Sequence, residues 1–269
     1  MTAWDVAALR FGGAFLTVLP IALWRGPPRM APGRAVAVLV FAGFGFPLCA
    51  FAGYQLAPAA HGATVMAAGL PVGTALLGLA FGMGRIDGRR ALSLVVVVAG
   101  SVLLAAAAAG GEAWRGAWKG DLLFLAAVLS WSAYTIMVQR WRLPALDAML
   151  AVGLMAAPVY LPVWWLALPS TIEQAAPAAA LFQAVFQGAF AAVLAGLLYT
   201  KAVTLIGPGP TTMVGAAVPA LSALAAWPLL DEALPPFGLL AVLLVSAGMV
   251  LGVAAPPAAG RVDPPVPRT

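Results

Sequence analysis

The chain alternates long apolar runs with short polar breaks. Nine runs each come near the roughly 20 residues a helix needs to cross a bilayer. They cover 5–24, 34–56, 62–83, 91–110, 121–139, 145–168, 178–200, 205–229 and 236–256. The breaks, among them 25–34, 85–90 and 140–144, gather the charges and many of the prolines. This pattern predicts an all-α polytopic membrane protein with nine visible transmembrane helices. The segment 257–269 is rich in Pro and polar residues and is predicted to be a disordered tail.

Composition sharpens the class. Of 269 residues, 63% are hydrophobic and 9% charged, where a soluble domain carries about a quarter charged residues. That excludes a soluble enzyme, a nucleic-acid binder and a disordered protein. The formal net charge of +5 does not signal nucleic acid, because the cations sit in short clusters between apolar runs. Cys49 is the single cysteine, so no disulfide forms within the chain.

The cations also orient the helices. With loop 25–34 inside, the inner side holds Arg25, Arg29, Arg34, Arg85, Arg89, Arg90, Arg140, Arg142, Lys201, Arg261 and Arg268. The outer side holds only Arg115 and Lys119. The expectation is a multi-pass protein of a bacterial plasma or inner membrane, with Met1 outside and the C-terminus cytoplasmic.

The runs repeat. VVAGSVLLAAA (97–107) aligns with VSAGMVLGVAA (245–255) at an offset of 148, which also carries Thr64 onto Thr212 and Pro71 onto Pro219. An offset of 142 carries Asp5 onto Asp147 and Pro20 onto Pro162; a longer loop near 170–177 accounts for the difference. The second copy, 120–256, holds five runs and the first, 1–110, only four. An odd number makes the second copy enter from the opposite face, the inverted-repeat plan of secondary transporters. The expectation is a ten-helix (5+5) fold whose first helix is missing.

Three stretches carry a family resemblance. AALRFGGAFLTVLPIALW (7–24) resembles the second helix of EamA-type carriers of the drug/metabolite transporter superfamily. GDLLFLAAVLSWSAYTIMVQR (120–140) resembles the helix that opens their second repeat, and the segment 206–253 is similar to their closing signature. The resemblance implies a ten-helix basket with a central cavity, alternating access, and transport, usually export, of small metabolites. The chain departs from the pattern at its opening helix and at Glu232, whose counterpart is Gly84.

Polar groups inside a membrane bundle are costly and persist with a partner or a cavity. Arg10 lies about one and a half turns inside its run and points to an anionic group such as a carboxylate; snorkelling or pairing with Asp5 are its structural alternatives. His61 and Thr64 share a face at i,i+3, and His61 is suited to relay a proton. Gln183 and Gln187 share a face at i,i+4, ready for a polar ligand or for a neighbouring helix. Trp131 and Tyr134 are candidates to line a site for an amphipathic molecule, against a reading as helix packing. Thr211 and Thr212 precede Pro219, which with Pro71 forms an equivalent pair of helix bends.

These residues give a secondary transporter as the leading expectation, exporting amino acids or related amphipathic compounds. Its partners are a small-molecule substrate and the lipid bilayer, without nucleic acid, as a monomer or homodimer. No cofactor or metal is expected. One His, one Cys and no clustered acids within the runs speak against a membrane enzyme. A non-transporting fragment or membrane assembly subunit is the alternative.

Overall fold

The computed structural model describes residues 1–57, 59–83, 86–108, 117–218, 221 and 236–253. Within them the chain forms nine helices: α1 (Ala3–Arg25), α2 (Pro32–Tyr54), α3 (Ala59–Ala80), α4 (Gly88–Ala108), α5 (Trp118–Trp141), α6 (Ala145–Ala167), α7 (Pro177–Ile206), α8 (Pro208–Gly215) and α9 (Pro236–Val253). Seven of them are long and apolar enough to cross a membrane. Their outer faces carry bare apolar side chains. Leu23, Trp24 and Leu166 are about 80% or more exposed, as lipid-facing surface requires and water would penalise.

Local chemistry sets the helix ends. At the start of α1, Thr2 Oγ1 accepts from the Asp5 amide at 3.1 Å, and Asp5 Oδ2 accepts from the Thr2 amide at 2.8 Å, a complete capping box. Gly26, at φ +91°, ends the helix by donating to Ala22 O. Proline opens α2, α7 and α8, where its missing N–H costs nothing. Most helix ends fall within about three residues of the sequence expectation, and one differs by more. The run 178–200 continues as helix to Ile206, and the next helix starts at Pro208 rather than 205. Lys201 marks a polar position, but its long exposed side chain lets the backbone stay helical. Gly207, at φ +84°, makes the stop.

Two helices widen into π turns: α2 over Leu39–Gly45 and α7 over Ala184–Leu194. The offset of 148 places the first inside the second. Such turns loosen the i→i−4 ladder and recur at functional sites.

Reciprocal contacts follow both sequence offsets. The Thr171 amide donates to Asp5 Oδ2 at 3.0 Å, and the Arg29 amide donates to Asp147 Oδ1 at 3.3 Å. Both donor and acceptor are displaced by 142. Trp164 Nε1 adds a 3.0 Å bond to Asp5, and Arg25 adds a 2.8 Å ion pair to Asp147. Each buried acid at the start of one helix thus fastens the end of the other, so α1 and α6 run antiparallel and are clasped at both ends. At the offset of 148, a Cβ on Gly100 would lie 2.8 Å from Val245 N, and one on Gly248 would lie 2.9 Å from Val97 N. The helices α4 and α9 therefore cross at their backbones through an equivalent pair of glycines.

Candidate functional site

The site begins with a close approach. Gly13 on α1 faces the backbone of Ala184, and Gly188 on α7 faces the backbone of Gly13 and Ala14. A side chain at either glycine would overlap main-chain atoms. Only glycine lets the helices touch this closely, and the contact sets Arg10 beside Gln187. Arg10 Nη1 donates to Gln187 Oε1 at 3.2 Å and reaches Gln187 O at 3.4 Å. That carbonyl lies in the π turns of α7.

Arg10 opens on a cavity of about 20 Å³, lined by α1, α2, α5, α6 and α7. Its walls include Phe11, Trp131, Met149 and Val152, with Gly43 from the π turns of α2. This volume admits about one water. Trp131 anchors an aromatic group. Its ring lies 4.8 Å from Phe46, 5.2 Å from Tyr134 and 5.1 Å from Tyr199, centre to centre. Tyr199 and Thr135 share a 2.8 Å hydroxyl bond.

The candidates from sequence therefore part company. Arg10 and Trp131 line the cavity, and Gln187 holds Arg10. Arg10 does not pair with Asp5, whose carboxylate is occupied by Thr2, Trp164 and Thr171. Gln183 does not line this cavity, and its Oε1 is buried without a donor. Tyr134 is fully buried, its hydroxyl 2.5 Å from Thr200 Oγ1, and it does not line this cavity. Thr211 and Thr212 are buried and spend their hydroxyls on their own helix, at Gly207 O (2.7 Å) and Pro208 O (2.9 Å). Thr64 is buried on α3, one turn from the start of the helix. The side chain of His61 and all of Pro219 lie outside the described residues. Pro71 is buried inside α3.

Sequence reasoning missed Phe11, Gly43, Met149, Val152 and Tyr199. One signal was present: the offset of 142 carries Arg10 onto Val152 and Ala14 onto Ala156, and all four line the cavity. Among the described residues, no group of three or more His, Cys, Asp or Glu comes together to hold a metal.

No curated protein matches the chain. Among solved structures 22 chains match. One of them, described only as "Crystal structure of protein", superposes with a TM-score of 0.76 at 20% identity, covering 93% of this chain and 87% of that one. At that identity the likeness establishes the fold alone. A model of the EamA-like transporter family matches residues 118–253, just over half of the chain. A polytopic helical bundle with an apolar exterior and this match make a membrane transporter the reading of the whole: the chain belongs to the EamA-like transporter family.

Proposed function

We propose that the protein is a secondary transporter that exports small amphipathic metabolites by alternating access. It sits in a bacterial plasma or inner membrane with its C-terminus cytoplasmic, and residues 1–110 and 120–256 act as two inverted repeats. The observation that carries this reading is Arg10: a cation inside an apolar bundle, turned into a small cavity and held by a neutral amide. Such a charge is costly in a membrane bundle, and a ligand that meets it supplies the reason to keep it.

Alternating access draws support from the clasps. Asp5 and Asp147 fasten opposite ends of the antiparallel pair α1 and α6, so one end can open while the other stays closed. The π turns beside the cavity give α2 and α7 places to change their twist. Nothing in the arrangement favours the alternative of a non-transporting fragment.

Counterflow in proteoliposomes tests the reading. Vesicles holding the purified full chain are loaded with a mixture of amino acids and aromatic carboxylates and diluted into the same compounds carrying a heavy isotope. Accumulation of label above protein-free vesicles is expected for at least one compound. Equal label in both vesicle types contradicts the proposal.

A further inference from the structure

The transporter reading leaves open which charge state the cavity takes, and the inference here rests on that reading. We propose that the cavity selects organic monoanions: a single carboxylate meets Arg10, and an apolar body lies against Val152, Met149 and Trp131.

The charge balance of the site carries this. Arg10 offers five N–H donors, and its acceptors are the side-chain and backbone oxygens of Gln187, both neutral. Among the described residues no carboxylate pairs with it. The two buried acids nearest in sequence logic are committed elsewhere, Asp5 to Thr2, Trp164 and Thr171, and Asp147 to Arg25 and Arg29. Gln187 fixes one edge of the guanidinium and leaves further donors for a ligand. A planar fork of this kind pairs best with a carboxylate.

The wall, otherwise paired, is asymmetric at the charge. The offset of 142 relates Ala14 to Ala156 and Arg10 to Val152, and all four line the cavity. Small residue matches small residue, but cation matches valine. One half of the wall holds a charge and the other cannot. A dianion would place its second charge among Val152 and Met149. A zwitterion would place its ammonium there, since no described lining residue is acidic. Burying either charge unpaired is costly. A monoanion with an apolar body leaves no charge unmet.

The test uses the full chain in lipid nanodiscs and calorimetric binding of four probes that share a phenyl ring: phenylacetate, phenylacetamide, phenylmalonate and phenylalanine. Phenylacetate is expected to bind about tenfold more tightly than each of the others, the usual advantage of a charge-assisted pair over a neutral or mispaired one. Arg10→Gln removes that preference, and Arg10→Lys, which keeps the charge without the fork, retains part of it. Val152→Arg supplies the missing cation and raises phenylmalonate affinity about tenfold. Melting curves of each variant, read by tryptophan fluorescence, confirm that the folded protein is compared. The proposal is overturned if phenylacetate does not bind, or if phenylacetamide or phenylalanine binds as tightly. It is also overturned if folded Arg10→Gln keeps the preference. Counterflow of a neutral or zwitterionic compound by the same protein would leave the transporter reading standing while this selectivity falls.

Discussion

The carboxylate of Asp147 receives the guanidinium of Arg25 at 2.8 Å and fastens the start of α6 to the end of α1. Asp147 is 2% exposed, so its charge depends on Arg25 and on the Arg29 amide for company. Asp147→Asn is expected to lower stability by about 1–3 kcal/mol. Thermal melts of the purified protein measure it. Adding Arg25→Gln should cost less than the two single losses summed, because both remove the same contact.

The clasps act separately at the two ends of the pair. Asp5→Asn should speed hydrogen exchange at the Thr171 amide and leave the Arg29 amide unchanged. Asp147→Asn should do the reverse. Each amide donates to the acid in question, and loss of that acceptor frees its end alone. Exchange read by mass spectrometry at both ends would sink the idea of independent clasps if either variant loosened both.

Adjacent glycines on α1 should behave differently. Gly12 has open space around an added Cβ, whereas one on Gly13 would meet the Ala184 carbonyl. Gly12→Ala is expected to be neutral or slightly stabilising, since Ala is the better helix former. Gly13→Ala should destabilise by about 1–3 kcal/mol, because backbone cannot step aside as a side chain can. It should also weaken transport, since the same contact sets Arg10 against Gln187. Melting temperatures and counterflow rates of the two variants check this.

Much of this molecule was legible in its sequence. Helices show as apolar runs because a bilayer demands about 20 residues per crossing, and the end of α7 slipped only because Lys201 resembles a boundary. Arg10 stood out for the same reason that it is costly: it is a charge within an apolar run. Val152, Met149 and Gly43 did not, because an apolar wall has no contrast in a chain whose exterior is apolar too. The π turns left no sign in residue type. Tyr134 and Thr200 were unreadable as partners, since a hydroxyl pair across helices has no spacing rule within one chain.

That pair gives its own prediction. Tyr134→Phe removes the hydroxyl but keeps the ring beside Trp131, and Thr200 still donates to Gly196 O at 2.7 Å. A loss of about 0.5–1.5 kcal/mol in stability is expected, with counterflow unchanged per folded molecule. A transport defect exceeding the stability loss would move Tyr134 from packing into the substrate path.

A chain that moves carboxylate-bearing metabolites past Arg10 should lose that movement when Arg10 loses its charge. Metabolite profiling inside and outside cells, comparing the wild-type chain with Arg10→Gln at matched membrane levels, tests it most directly. At least one carboxylate-bearing compound is expected to fall inside and rise outside with the wild type and not with the variant. Pools that are the same in the two strains would contradict it.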